Sequence, residues 1–455
     1  MIPSARLQAV IDLFTAMEAH QRPADRVAQS YFRDRRFIGS GDRREVSQTC
    51  YALLRGRARL GWWLERAGGK DTPRYLLLAW LVLSQGRGEK DCLGLFNGER
   101  YCPEALSDRE SSVIAALAKE RYAVREQEQA DPLDHPAQPA FVRFELPQWS
   151  TEKLLAQLGR QGRQELTALR DEAAVDLRVN TLVASQEQAK QTLAEEGIDS
   201  EEGAWSPLAL RLDGRKAVAV TKAFKTGMVE VQDEGSQIVA QLVDARPGKK
   251  VVDFCAGAGG KTLALAAAMK NRGQIIACDT MEWRLKRSAQ RLKRAKVFNV
   301  TRRVLKSERD PWVKKHKGDF DRVLVDAPCS GSGTWRRNPE AKWRFWEENL
   351  AELTALQASI LASAGRLVAP GGRLIYATCS LLEEENEAQV ETFLAQTSGF
   401  TILPVAPVWK ALFATDCPES LEIEGRANSP FLRLAPGKHG TDGFFVAILE
   451  RVKEA

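Results

Sequence analysis

Residues 251–262 read VVDFCAGAGGKT: an apolar run with an acid at its end, a turn of small residues, then the start of a helical pattern. The apolar run has the length of a buried strand, and the small residues leave the backbone open to a ligand. Outward from this point the chain alternates between two periods. QIIACD at 274–279, DRVLVDAP at 321–328 and GRLIYATCS at 372–380 are strand-like. The segments after Gly260 and from Glu282, and LAELTALQASILASA at 350–364, are helical. Such alternation predicts an α/β fold, a parallel doubly wound sheet with helices on both faces. Ligands of such sheets bind beyond the carboxyl ends of the strands.

The turn Cys255-Ala256-Gly257-Ala258-Gly259-Gly260-Lys261 departs from two familiar phosphate cradles. A Walker-type loop requires GxxxxGK[ST], and Gly257 stands at the wrong distance from Gly260 and Lys261. A dinucleotide loop requires GxGxxG, and the third glycine is missing. A looser turn suits S-adenosylmethionine, which has no pyrophosphate to cradle. Asp279, 26 residues beyond Asp253, stands near the spacing at which an acid receives ribose hydroxyls.

Two cysteines follow strands of the same unit, in DAPC at 326–329 and TCS at 378–380. Carbon 5 of a pyrimidine is a poor nucleophile until a thiolate adds to carbon 6. Cys379 is the candidate for that attack and Cys329 for helping the carbon 5 proton leave. Asp326 could hydrogen-bond the edge of the base and stabilise charge at N3 as the thiolate adds. Lys261 or a helix N-terminus could lower the thiol pKa. Cys255 reads as a backbone contributor to the turn. Cys50, Cys92, Cys102, Cys278 and Cys417 read as small apolar residues.

DFCAGAGGKT, DAPCSGSGTWRRNPEAKWR, YATCSLLEEENEAQV and the terminal TDGFFVAILER resemble the NOL1/NOP2/Sun family of RNA cytosine-5 methyltransferases, nearest its bacterial, RsmB-like 16S ribosomal RNA branch. The resemblance covers about residues 140–455. It implies a Rossmann-like domain, S-adenosylmethionine as donor, Cys379 as nucleophile and Cys329 in product release. It also implies a cofactor pocket of Cys255 to Lys261, Asp279 and Asp326. Two positions depart from the family. Its loop usually reads CAAPGGKT, so Gly257 and Ala258 replace Ala-Pro and a floppier turn is expected. Its third cofactor acid is usually an Asp; here KSERD at 306–310 offers Glu308, with Asp310 nearby, and Glu308 is assigned. The implied substrate is RNA, 16S ribosomal RNA first and transfer RNA as the alternative. A DNA cytosine methyltransferase would need only Pro328-Cys329, whereas Thr378-Cys379 and TDGFF favour RNA. An exocyclic-amine methyltransferase would want an Asn/Asp-Pro-Pro-aromatic string, absent here. A non-catalytic assembly factor would have no use for both cysteines, Asp326 and Lys261.

At 455 residues two or three domains are expected. Residues 1–130 carry apolar residues at helical spacing in LQAVIDLFTAM, REVSQTCYALLRGRARLGWWL and YLLLAWLVL. They predict an all-helical domain, which resembles the NusB-like RNA-binding domain of the same branch. Its arginines at 33–36 and 55–59 could grip RNA backbone, while Trp62 and Trp63 read as core. The proline-rich 131–147 reads as a linker. Residues 148–235 read as a small α+β module, with a strand at 175–180 and a helix at 185–196, and 236–455 as the methyltransferase domain.

The formal charge of +6 is concentrated: residues 282–317 hold 14 Lys/Arg against 3 Asp/Glu, a local +11. That leaves about −5 for the rest, so a polyanion partner is expected at one patch. Eight cysteines occur without CxxC or Cys/His clusters, against a zinc site or a secreted disulfide scaffold. MIPSARLQAVIDLF reads as a helix rather than a signal peptide, and no apolar run approaches a membrane span. No metal and no membrane partner are expected, and the cytoplasm is the expected compartment.

Overall fold

Leucines and aromatics at helical spacing give the N-terminal helices buried faces, which meet in one core around Leu13, Phe14, Leu53, Trp63 and Leu76. The computed structural model describes residues 1–125, 131–426 and 428–453. It divides into two units, 1–153 with 335–346 and 154–334 with 347–455. In the first, helix Pro73–Leu83 is buried along almost its whole length and begins at Thr72, whose hydroxyl accepts from the Tyr75 amide.

Arginines at 55–59 have structural partners here. Arg59 is buried and donates to Glu145, Asp131 and Asp134 at 3.0, 2.6 and 2.8 Å. Arg57 donates to Glu18 and Asp71, and Arg55 to the carbonyl of Arg336. Trp63 is core, its indole N–H donating to the Leu133 carbonyl at 3.0 Å. Residues 131–147, read from their prolines as a linker, therefore lie inside this unit. Residues 335–346 also belong to it: Arg344 donates to the carbonyls of Met17 and Arg22, and Glu340 accepts from the Ala24 amide.

The second unit holds strands β1 Val175–Val179, β2 Ser200–Glu202, β3 Ala209–Leu212 and β4 Val229–Val231, an antiparallel sheet in the order β2-β3-β1-β4. Helix Gln186–Ala194 starts from a capping box of Ser185 and Gln188, and its Leu193 joins Leu177 and Leu210 in the module's core. A larger sheet follows: β5 Lys250–Asp253, β6 Gln274–Asp279, β7 Val300–Val304, β8 Phe320–Asp326, β9 Val368–Thr378, β10 Phe400–Ile402, β11 Leu432–Leu434 and β12 Phe444–Arg451. Its order is β10-β12-β9-β8-β5-β6-β7, with β11 beside β12. The pairs among β5, β6, β7, β8 and β9 are parallel, and β12 runs antiparallel to β9. Val251, Val252, Val323, Leu324, Leu374 and Ile375 are fully buried, as central strands covered on both faces require. The α/β expectation holds: a Rossmann-like sheet preceded by a small α+β module and a helical region. β7, VTRRV, lacks an apolar run and leaves four of its five residues exposed, which its place at the sheet edge allows. Among the described residues no helix is long and apolar enough to cross a membrane.

Candidate active site

Strand order reverses between β5 and β8: the sheet grows from β5 through β6 and β7, and from β8 through β9 and β12. Loops leaving those two carboxyl ends diverge and leave a crevice. A cleft of about 540 Å³ occupies it, a size typical of small-molecule sites. Cys255, Ala256, Gly257, Ala258, Gly260, Lys261, Asp279, Glu308, Asp326, Cys329 and Cys379 all line it. Gly259 does not. It caps helix Gly260–Ala268 with a left-handed φ of 85°, against Ser288.

The turn is shaped as well as small. Gly257 has φ 55°, a conformation alanine rarely adopts. Asp279 holds the turn by accepting from the amides of Gly257 and Met281 at 2.9 and 2.7 Å. Glu308 reaches the cleft, with Ser359 donating to its carboxylate at 2.8 Å. Asp310 does not line the cleft. It accepts from the Lys306 and Trp312 amides as the cap of helix Pro311–Lys315, and those bonds hold its carboxyl below the usual range.

Asp253 contributes an acid that spacing alone assigns no part. It lines the cleft, fully buried, and accepts from the Thr262 hydroxyl at 2.6 Å. Its second oxygen has no hydrogen-bond partner among the described residues, and burial pushes its carboxyl up to about 7. A buried acid with one free oxygen, an open backbone turn, and further acids from neighbouring strand ends fit a cofactor carrying cationic groups and a ribose. Gln232 and Ser236, from before β5, and Leu356 and Ile360, from helix Glu347–Gly365, also line the wall. Local motif spacing does not signal these four.

The two thiols lie side by side, with Cys329 Sγ 3.3 Å from Cys379 Sγ. Hydrogen bonding to Cys379, then burial, pushes the Cys329 thiol well up, so Cys329 keeps its proton, and either sulfur can be the donor between them. Lys261 Nζ donates to Asp326 at 2.7 Å and lies over the Phe444 ring. Burial is the largest influence and opposes its charge, but the Asp326 carboxylate together with Cys379 and Asp253 outweighs it and raises the pKa. The terminal TDGFF string has a steric part here. A Cβ at Gly333 would lie 2.4 Å from the Gly443 carbonyl oxygen, so the 3-10 turn Ser332–Thr334 after Cys329 and the segment leading into β12 pack backbone to backbone.

The basic helix Glu282–Arg294 divides its charges. Arg291 donates to the Ala258 carbonyl, Arg291 and Arg294 pair with Glu230 of the small module, and Arg294 lies over Phe224. Arg284, Arg287 and Lys293 stay exposed. Among the described residues no group of three or more His, Cys, Asp or Glu is arranged to hold a metal ion.

A family model described as 16S rRNA methyltransferase RsmB/F matches residues 240–450, and an RsmF/B-like ferredoxin-like domain matches residues 146–219. The probable ribosomal RNA small subunit methyltransferase B of Synechocystis is 31% identical over 422 residues, 90% of this chain and 91% of that protein. The ribosomal RNA small subunit methyltransferase B of Serratia proteamaculans is 30% identical over the same shares. Among solved structures, PH0851 has 27% identity and a TM-score of 0.75, covering 99% of both chains. A methyltransferase homologue from Pyrococcus horikoshii has 27% identity and a TM-score of 0.58, over 69% of this chain and 98% of that one.

Proposed function

The chain belongs to the RsmB/F family of S-adenosylmethionine-dependent methyltransferases, and on that premise we propose that it methylates carbon 5 of a cytosine in small-subunit ribosomal RNA through a covalent bond from Cys379 to carbon 6. The observation that carries this reading is the pair of sulfurs 3.3 Å apart at the rim of the cofactor cleft. A reaction at an exocyclic amine would need neither thiol. S-adenosylmethionine, when bound, supplies an electrophilic methyl group. Asp279 and Glu308 would hold its ribose side, Asp253 its cationic part, and the turn 255–261 its backbone-facing edge.

The protein's own groups then divide the work. Cys379, relieved of its proton, forms the bond to carbon 6 and sends electrons to carbon 5. Asp326, fixed by Lys261, faces the base edge and steadies the charge that develops on the ring. Attack turns the Cys379 sulfur into a thioether, and so weakens the hydrogen bond that is the largest influence keeping Cys329 protonated. Cys329 can then yield its proton to solvent and receive the one from carbon 5. As that proton leaves, the carbon 5–carbon 6 double bond re-forms and the bond to Cys379 breaks. One proton is released per methyl group transferred. Such an enzyme works where ribosomal RNA is assembled, in the cytoplasm.

The test is transfer of tritium from labelled S-adenosylmethionine into small-subunit ribosomal RNA and, separately, transfer RNA, with digestion to nucleosides. Label in 5-methylcytidine from the ribosomal RNA is expected. Label in another nucleoside, or in transfer RNA alone, would overturn the reading.

Two further results are expected. Cofactor affinity should fall as pH drops through about 7, by up to about tenfold per unit, because Asp253 must ionise to meet a cation. Calorimetry in buffers of different ionisation enthalpy should show proton release on binding near that pH, and Asp253→Asn should flatten the dependence. Separately, replacing Arg287 and Lys293 by glutamine should lower the slope of log affinity for RNA against log salt by about 1 to 2. An unchanged slope would place the RNA elsewhere. Arg294→Gln should instead lower the melting temperature, since Arg294 pairs with Glu230.

A further inference from the structure

Ser330 and Ser380, the residues directly after Cys329 and Cys379, donate to the same carboxylate. That carboxylate is Glu385, fully buried on the turn Glu383–Glu385. It accepts from the Ser330 amide at 2.8 Å, from the Ser330 and Ser380 hydroxyls, and from the Gln357 side-chain amide at 3.0 Å. The Gln357 amide also donates to the carbonyl of Pro328 at 2.9 Å, so the residues on both sides of Cys329 are tied to one point. From the same loop, Ser332 reaches across to that of Cys379, where it contacts the Ser380 hydroxyl at 3.0 Å and accepts from the Leu381 amide at 2.9 Å.

The backbone leaves this stretch to side chains. Main-chain bonds join the two cysteine strands at Ala327 to Ala377, 2.8 Å, and at Gly333 to Cys379, 3.0 Å. Between them, residues 328–332 are held by the Gln357, Glu385 and Ser380 contacts. A carboxylate taken out of water is costly even when fully hydrogen-bonded, and an apolar side chain could fill the same space without that cost. What the carboxylate adds is direction: its two oxygens fix two loops that come from different strands.

We propose that Glu385 is a positioning residue that clamps the loops of Cys329 and Cys379 together, with Ser330 orienting the release cysteine and Ser380 the attacking one. The assignment of those two roles rests on the reaction proposed above; the clamp itself does not. It can be tested first without RNA. Diamide removes two hydrogens from a close thiol pair and leaves a disulfide, and peptide mass mapping follows the loss of free Cys329 and Cys379. In Glu385→Gln this crosslinking should slow by roughly 10- to 100-fold, the scale expected when reacting groups are misplaced by about 1 Å. An unchanged rate would overturn the clamp whatever the enzyme's substrate.

The serines then separate the two loops. With RNA and S-adenosylmethionine, Ser330→Ala should form the covalent protein–RNA adduct at the normal rate and release it slowly, so that adduct accumulates. Ser380→Ala should form the adduct slowly and accumulate none. A merely structural role would lower the melting temperature and slow both phases alike. Identical behaviour of the two serine variants would overturn the assignment, and they carry the test if Glu385→Gln does not fold. Cys379→Ala in the same assay shows whether the adduct belongs to this reaction at all, so failure of the catalytic reading and failure of the clamp give different results.

Discussion

Replacing Cys379 by alanine is expected to lower methyl transfer into RNA by at least about 10³-fold, in line with removal of a covalent nucleophile. Carbon 5 has too little electron density to take a methyl group until carbon 6 carries a substituent, and the Cys379 sulfur is the proposed source of that substituent. Cofactor binding should be unaffected, because the turn 255–261, Asp253, Asp279 and Glu308 are all left in place. Isothermal titration of S-adenosylmethionine alongside the transfer assay separates the two effects. The half-buried position of Cys379 means that loss of its sulfur should leave the melting temperature nearly unchanged. Activity surviving in this variant would make Cys329 the attacking sulfur and reverse the roles.

Replacing Cys329 by alanine should have the opposite signature, a covalent complex that does not come apart. Attack needs Cys379 and methyl transfer needs the bound donor, and neither is touched. Release needs the carbon 5 proton removed, and the sulfur 3.3 Å from Cys379 is the group proposed to receive it. The complex should therefore appear as a band of protein joined to RNA that survives a denaturing gel. It should require S-adenosylmethionine, since an unmethylated adduct can simply reverse. Steady turnover should fall by about 10²- to 10⁴-fold, the range for losing a proton-transfer group.

The catalytic sheet was legible because its strands are buried on both faces and so spell continuous apolar runs. VVDF, QIIACD and RVLVD stand out for that reason, and their terminal acids come together because parallel strands end on one edge. β7 was not legible: an edge strand exposed to water can carry Arg302 and Arg303, and nothing in VTRRV marks it as part of a sheet. The arginines show the reverse failure. Arg57, Arg59, Arg291 and Arg294 look like RNA contacts as a string of charges, yet each has an acidic partner that is distant in sequence. Proline content misled in a similar way at 131–147, where Arg59 and Trp63 draw the segment onto the helices. That Glu308 lines the cleft while Asp310 caps a helix could not be read from KSERD, because both acids stand at similar distances from β7. Glu385 and Gln357 were hidden for a different reason. Their effect runs through hydrogen bonds to residues beside the cysteines, and no spacing rule connects them.

The most direct test of the account is to digest the complex formed by Cys329→Ala with RNA and S-adenosylmethionine, and to locate the bound nucleotide by mass spectrometry. The account predicts a methylated cytidine attached to the peptide that contains Cys379, and no complex at all from the double variant Cys329→Ala, Cys379→Ala. A nucleotide attached to any other residue, or a complex that persists without Cys379, would contradict it.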